Sequence, residues 1–271
     1  MADGAAGATR ADRVRHAEPV MGTVVSFDVP RTARDDGSLA AAVSWLHWVD
    51  RVFSPYRPDS EVSLLAAGAL TVSGCVPEMA EVIDACARVA EVSGGYFSPA
   101  PAGRFDPTGY VKGWAVERAA AILSAAGSAR HLVNGGGDVQ CAGGRAATAP
   151  ALGSGPRVLP WRVGIADPFR PGRLALVVDA VDGGVATSGT AERGAHIIDP
   201  HSGRPAAGLA SLTVAGPSLA LADAYATAAF AMGPARARDW TESLDGYDAY
   251  AITGTGQTWQ TSGFGARVAP G

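Results

Sequence analysis

The stretch Leu209 to Gly233, LASLTVAGPSLALADAYATAAFAMG, predicts a strand followed directly by a helix. Residues 209–215 are suited to a strand, and Ser218 is suited to cap a helix over 219–232 that ends at Gly233. Within this otherwise apolar helix, Asp223 and Thr227 are four residues apart and therefore share one face.

The oxygens of Asp223 and Thr227 are hard ligands of the kind that Mg²⁺ prefers. A buried carboxylate without a partner is costly, which also points to a ligand. The alternative is that Thr227 bonds to its own helix backbone while Asp223 interacts with the helix dipole. On spacing alone, this structural interpretation is favoured over metal binding.

Working outward from this stretch, helices are predicted early in the chain and strands in its middle and end. That segregation favours a single α+β domain over alternating α/β units. Residues 1–17 are predicted to be a flexible tail, and residues 18–271 the domain. The predicted helices cover 38–53, 77–92, 112–126, 219–232 and 234–244, and the predicted strands cover 20–29, 130–133, 138–141, 161–166, 174–181, 184–188, 194–199, 209–215, 248–253 and 257–261.

The composition is that of a globular protein, with 47% hydrophobic and 18% charged residues. A net charge of -4 gives no indication of a nucleic-acid surface. The sequence has no apolar run of the roughly 20 residues that cross a bilayer. Residues 1–15 lack the apolar core of a secretory signal, so a cytoplasmic location is expected, with an exported form as the alternative. The three cysteines, without CxxC spacing, are expected to be reduced thiols.

Lys112 is the only lysine among 22 basic residues, so a compact ammonium group is expected to be required there. It lies in FDPTGYVKGWA, residues 105–115, where Asp106 to Gly109 predict a turn that leads into a helix. Backbone amides and a lysine at the start of a helix form a natural phosphate site. The alternative is an ordinary capped helix with a solvated lysine. The presence of only one lysine in the chain favours the functional interpretation.

Two further segments carry candidate polar chemistry. NGGGD, residues 134–138, contains the only asparagine of the chain but is not a dinucleotide fingerprint, because the third glycine and the helix are missing. A tight hairpin and a ligand contact are equally compatible with it. His196, close to Asp199, could act in acid–base chemistry or donate to a phosphate, although a lone histidine on a strand is more often structural. His201 is expected to be solvated.

Taken together, these segments resemble the FAD:protein FMN transferase family, also called ApbE. Each motif is weak alone, but their joint order is specific and extends over nearly the whole chain after residue 20. The motifs are MGT (21–23), SPYRPDSEVS (54–63), FDPTGYVKGWA (105–115), NGGGD (134–138), WRVGIADP (161–168), VATSG (185–189), HIIDPHSGRP (196–205) and LTVAGPSLALADAYATAAFAMG (212–233).

The resemblance implies a fold related to the tetrahydropterin-binding fold, with FAD as substrate and Mg²⁺ as the metal. It implies metal ligation by the side chains of Asp223 and Thr227 and by the carbonyl of Gly109. Lys112, His196 and Asp223 are the implied catalytic residues. The implied FAD contacts are Met21, Tyr56, Tyr96, Phe97, Asp106, Lys112 and His196. The chain departs from the family pattern at Ser98, Glu117 and Ala66.

The reaction implied by the resemblance is transfer of FMN from FAD to a Thr or Ser hydroxyl of an acceptor protein, with release of AMP. Hydrolysis of FAD to FMN and AMP is one alternative. A flavin-binding protein without turnover is the other.

Overall fold

The computed structural model describes residues 12–100, 103–146, 158–190, 194 and 197–270. Its strands are β1 (Arg13–Val20), β2 (Thr23–Pro30), β3 (His131–Gly135), β4 (Asp138–Ala142), β5 (Arg145–Ala146), β6 (Val158–Leu159), β7 (Trp161–Ala166), β8 (Leu174–Ala180), β9 (Gly183–Gly189), β10 (Ile198–Asp199), β11 (Arg204–Pro205), β12 (Leu209–Gly216), β13 (Asp248–Thr253) and β14 (Thr258–Gln260). Its helices are α1 (Arg31–Asp35), α2 (Ser38–Phe53), α3 (Glu61–Ala66), α4 (Pro77–Val92), α5 (Thr108–Ala125), α6 (Leu219–Met232) and α7 (Pro234–Glu242).

One antiparallel sheet of eight strands organises the chain, in the order β1-β2-β3-β4-β9-β12-β13-β14. Side chains alternate between its two faces, as the pleat of a strand requires. Ala186 and Val214 join the main core under the helices, whereas their neighbours Val185 and Ala215 join a second cluster. The hairpin of β7 and β8 covers that second cluster, so the middle of the sheet is buried on both faces.

Helix α6 lies against β9 and β12 and is buried on nearly all sides. Its alanine-rich surface allows close packing against the sheet on one side and α5 on the other. The predicted cap is present, since the Ser218 hydroxyl accepts a hydrogen bond from the Leu221 amide at 3.3 Å. Because a buried helix start leaves several amides without helical partners, such capping is needed here.

Helices α5 and α6 run antiparallel and touch along a row of residues spaced four apart. A Cβ at Gly109 would lie 3.6 Å from the Thr227 hydroxyl, and a Cβ at Gly113 would lie 2.8 Å from the Asp223 Cβ. One turn further, a Glu117 carboxylate oxygen accepts hydrogen bonds from the Ser218 hydroxyl and the Ala220 amide, both at 2.8 Å. The departure at Glu117 thus serves as a second cap for α6.

The predicted helices 38–53, 77–92 and 219–232 are confirmed, as are the strands 161–166 and 248–253. Four expectations were wrong. The segment 13–17 is strand and not tail, because it pairs with β2 along its length. The strand 20–29 is interrupted at Met21 and Gly22, which have φ values of 57° and 69° and turn the chain into β2. Helix α5 begins at Thr108, so Thr108 and Gly109 belong to the helix and not to the turn. Helix α3 was not predicted.

Within the described residues, the longest and most apolar helices still fall short of what is required to cross a membrane. Residues 1–11 of the predicted tail lie outside the described residues.

Candidate active site

A cavity of about 670 Å³ opens beside the α5–α6 pair, at the end of β9 and the start of β12. Its volume is within the range of roughly 300–1,000 Å³ that holds small-molecule ligands and cofactors. The candidate residues from the sequence that line it are Tyr56, Tyr96, Phe97, Asp106, Gly109, Lys112, Asp223 and Thr227. The fold therefore brings together side chains from both ends of the chain.

Lys112 lies between two carboxylates at the base of the cavity. Its ammonium group pairs with Asp138 and also lies 3.7 Å from an oxygen of Asp223. Both carboxylates are almost fully buried, with 1% and 5% of their side chains exposed, whereas Lys112 is 25% exposed. Burying such charges is tolerated only when they are paired. The lysine is therefore held on the inner wall with its ammonium group available to the cavity.

Asp223 is oriented by the neighbouring helix. One of its oxygens accepts a hydrogen bond from the Gly113 amide at 2.9 Å, which is possible because Gly113 lets the two backbones approach. The other oxygen is the one that lies 3.7 Å from the Lys112 ammonium group. One turn along α6, the Thr227 hydroxyl lies 3.4 Å from the Ser188 hydroxyl.

The residues proposed as cation ligands form a compatible set. The carboxylate of Asp223, the hydroxyl of Thr227 and the backbone of Gly109 supply hard oxygens on facing turns of α5 and α6. Among the described residues, no group of three or more His, Cys, Asp or Glu side chains could hold a metal. A cation here would therefore depend on one carboxylate and neutral oxygens, a donor set that suits Mg²⁺ and not zinc.

The NGGGD segment is both a hairpin and part of the cavity wall. The Asn134 side chain accepts a hydrogen bond from the Gly137 amide at 2.9 Å and closes the turn between β3 and β4. Gly136 and Gly137 line the cavity with φ values of 61° and 97°, a conformation that favours glycine. A Cβ at Gly136 would lie 2.7 Å from the Thr23 hydroxyl, so the turn packs tightly on β2.

The outer wall is aromatic. Tyr56, in the loop before α3, is 88% exposed and lines the cavity, whereas Phe97 is buried. Tyr96 contacts the ring of His201, with 4.4 Å between ring centroids. The guanidinium of Arg236, on α7, lies 5.2 Å from the centroid of the Tyr96 ring. These rings offer apolar faces beside a polar base.

His201 is exposed, as the sequence predicted, and its ring also makes a specific contact. Its Nε2 lies 3.0 Å from the carbonyl oxygen of Gly94, which precedes the Tyr96 loop. The turn that carries His201 is itself fixed, since Asp199 accepts hydrogen bonds from the His201 amide and the Ser202 hydroxyl. The Ser202 hydrogen bond lowers the pKa of Asp199, which favours its charged form. His201 thus joins its own turn to the segment that leads to Tyr96, a residue of the cavity wall.

Two candidate residues are not brought into the described cavity wall. Met21 is half-buried and packs against the main core, while nearby Thr23 lines the cavity. His196 lies outside the described residues. The roles assigned to both remain predictions.

Three polar contributions were missed by the sequence reasoning. Asp138 was quoted within NGGGD but not assigned a role, although it pairs with Lys112. The hydroxyls of Ser188 and Ser211 line the cavity from β9 and β12. Asp138 begins a predicted strand and Ser188 ends another, but such positions do not reveal which strand ends meet in the fold.

The described residues form an α+β domain with a cavity of a size that holds small-molecule ligands, walled in part by glycine-rich backbone, with Lys112 placed between two buried carboxylates. The sequence model of the ApbE family matches residues 21–103 and 99–251. This chain belongs to the ApbE family.

Two relatives named FAD:protein FMN transferase show the extent of the similarity. The protein from Rhodobacter capsulatus is 33% identical over 205 residues, covering 73% of this chain and 34% of that protein. The protein from Escherichia coli strain K12 is 32% identical over 160 residues, covering 55% of this chain and 42% of that protein. The matched part of this chain therefore spans well under half of the length of either relative.

Solved structures share the fold over nearly the whole chain. The flavin transferase ApbE from Vibrio cholerae superposes with a TM-score of 0.80 at 21% identity, covering 94% of this chain and 99% of that chain. The ApbE protein from Thermotoga maritima gives a TM-score of 0.80 at 22% identity, covering 95% and 100%. The predicted α+β architecture of the ApbE type is confirmed.

Proposed function

We propose that this protein transfers FMN from FAD to a Thr or Ser hydroxyl of an acceptor protein, with Mg²⁺ bound, and releases AMP. The observation that carries the proposal is the convergence of Lys112, Asp223 and Thr227 in one cavity. A cationic ammonium next to a set of hard oxygens suits a pyrophosphate with its divalent counterion. The names of the Rhodobacter and Escherichia relatives support the same reaction.

The cavity residues form two groups, one of which would contact the phosphates of the ligand and the other its flavin ring. Lys112 and the glycine turn at 136–137, whose lack of side chains allows close approach, would face the phosphates. The exposed ring of Tyr56 and the ring of Tyr96 would lie against the flavin, where stacking favours flat aromatic ligands. Phe97 and Asp106 complete this wall, and Met21 and His196 are proposed as further FAD contacts.

The proposed cation would be held by the Asp223 carboxylate, the Thr227 hydroxyl and the Gly109 carbonyl. When bound, Mg²⁺ supplies Lewis-acid stabilisation of charge on the phosphate oxygens. The chain's own contribution is orientation. The Gly113 amide fixes one oxygen of Asp223 at 2.9 Å, which leaves the other oxygen directed towards Lys112 and the cavity.

In the proposed reaction, the acceptor hydroxyl oxygen attacks the phosphorus on the FMN side of the pyrophosphate. A new P–O bond forms, the P–O bond to AMP breaks, and AMP leaves with the bonding electron pair. The hydroxyl loses its proton during attack, and His196 is the proposed residue for receiving it or for orienting the phosphate. Lys112 would offset the negative charge that develops on the phosphate oxygens.

Mass spectrometry of a candidate acceptor domain tests the proposal. After incubation with this protein, FAD and Mg²⁺, we expect the acceptor to gain the mass of FMN on a Thr or Ser, with an equal amount of AMP. Release of FMN and AMP with an unmodified acceptor would instead establish a FAD hydrolase. Tight FAD binding without AMP under any condition would establish a binding protein.

The His201 contact gives a measurable prediction about the cavity mouth. Replacing His201 with Ala removes the hydrogen bond to the Gly94 carbonyl and the ring contact with Tyr96. We expect FAD to bind about fivefold more weakly, since a net hydrogen bond is worth about 1 kcal/mol. Fluorescence titration with FAD measures this. His201→Gln retains a donor and should recover most of the affinity, whereas equal losses in both variants would contradict the role of the hydrogen bond.

A further inference from the structure

We propose that Asp138 is a positioning residue that keeps the Lys112 ammonium group away from the cation position at Asp223. The inference rests on the proposed cation site and adds a residue that neither the sequence motifs nor the cavity lining had assigned. Its basis is the arrangement of one ammonium group between two buried carboxylates.

The placement of Asp138 makes it a fixed partner for Lys112. It is the first residue of β4, directly after the glycine turn, and its side chain is 1% exposed. One carboxylate oxygen accepts a hydrogen bond from the Thr187 amide on β9 at 3.0 Å. The other oxygen pairs with Lys112 on α5. Because two strands fix this carboxylate, it acts as a rigid anchor for a flexible side chain.

The Lys112 ammonium group and the proposed cation would compete for the Asp223 carboxylate. The Lys112 ammonium group lies 3.7 Å from the Asp223 oxygen, within the range of an ion pair. A lysine on a four-carbon stem reaches either carboxylate by changes in side-chain torsions alone. If nothing held it at Asp138, the ammonium group would be expected to move onto Asp223. It would then occupy the carboxylate that the divalent cation requires.

The net charge at the cavity base also calls for a second carboxylate. Two carboxylates and one ammonium group leave a local charge of -1, which a divalent cation converts to +1. Like charges repel strongly in a buried setting, so the cation and the ammonium group need separate carboxylates. Asp138 supplies the second one. With both positive groups in place, the cavity base complements a pyrophosphate, which neither group would balance alone.

The test measures Mn²⁺ binding to the FAD-free protein by electron paramagnetic resonance, so it does not depend on activity. Asp138→Asn keeps an oxygen for the Thr187 amide but loses the charge that holds Lys112. We expect it to weaken Mn²⁺ binding about tenfold in the parent protein. In the Lys112→Met background, where no ammonium group competes, the same change should weaken binding only about twofold.

This double-mutant cycle separates competition from simple charge loss. If the Asp138 charge acted on the cation only by direct electrostatic attraction, Asp138→Asn would weaken Mn²⁺ binding by the same factor in both backgrounds. That result would overturn the inference. Asp106→Asn is the matched control, because Asp106 lines the same cavity and accepts from the Thr108 amide at 3.0 Å without pairing with Lys112. Its effect should be equal in both backgrounds.

Two outcomes keep the inference distinct from the proposed function. If the parent protein binds no Mn²⁺, the proposed cation site is wrong. If the parent binds Mn²⁺ and the cycle shows no coupling, the cation site stands and the role of Asp138 is wrong. Thermal unfolding of each variant checks the fold, and Asp138→Ser carries the same cycle if Asp138→Asn does not fold.

Discussion

Replacing Asp223 with Asn is expected to reduce Mg²⁺-dependent FMN transfer by on the order of 10²–10³-fold, the scale associated with losing one preorganised electrostatic contact. The substitution retains an oxygen that can accept from the Gly113 amide, so the α5–α6 contact is preserved. It removes the charge that faces Lys112 at 3.7 Å and is proposed to hold the cation. Initial rates of acceptor flavinylation across a Mg²⁺ titration measure the effect.

Asp223→Ala should lose activity to a similar extent but also stability. It removes the hydrogen bond that the buried Gly113 amide donates to the carboxylate at 2.9 Å, and a hydrogen bond to a charged group contributes roughly 1.5–3 kcal/mol. Asp182→Asn is a suitable control, because Asp182 also accepts from a backbone amide, that of Gly143, but does not line the cavity. Unchanged transfer by the Asp223→Asn protein would remove the metal assignment.

The sequence predicted the fold best where the spacing of apolar residues, the capping residue and the terminating glycine all indicated the same helix. Helix α6 is the clearest example, since Ser218, the apolar run and Gly233 together fixed both of its ends. For α5, the motif around Asp106 and Pro107 was interpreted as a longer turn, although Thr108 and Gly109 are already helical. The Asp106 side chain accepts from the Thr108 amide at 3.0 Å and so supports the start of the helix earlier than expected.

The candidate site was predicted only in part. A sequence motif shows which reactive side chains are present, but it does not show which of them lie next to each other in the fold. Lys112 was singled out by its rarity, whereas the metal role of Asp223 and Thr227 followed from the family resemblance, and the fold brings all three into one cavity. Asp138 and His201 were missed because their roles depend on partners far away in the chain. The contact between His201 and Gly94 joins residues 107 positions apart, and no local pattern encodes such a pair.

Gly113, at the crossing of α5 and α6, leaves no room for a side chain beside Asp223. A Cβ at Gly113 would lie 2.7 Å from the Leu219 carbonyl oxygen, 2.8 Å from the Asp223 Cβ and 3.1 Å from the Ala220 Cα. Most of these are backbone atoms or lie next to the backbone, so rotamer changes cannot relieve the contact. The helices must separate, which moves Asp223 relative to Lys112.

Gly113→Ala is therefore expected to lower both stability and activity. Overpacking costs typically 1–3 kcal/mol, and the gain in helix propensity from Gly to Ala returns about 1 kcal/mol. Because two of these contacts would be shorter than 3.0 Å, we expect the upper end of this cost. The net loss of about 2 kcal/mol corresponds to a fall in Tm of roughly 4–8 °C in a domain of this size. Calorimetry measures the Tm, and Mn²⁺ titration should show weaker binding because the Asp223 carboxylate is displaced.

Gly254→Ala is the matched control for this change. A Cβ at Gly254 would have its nearest contact at 3.9 Å, an ordinary van der Waals distance, and its backbone is not in the left-handed region. We expect the Tm of that variant to stay within about 2 °C of the parent value, since surface substitutions usually cost under about 0.5 kcal/mol. Equal Tm values for the two variants would mean that the α5–α6 crossing tolerates a methyl group, and the close approach would then not be what positions Asp223.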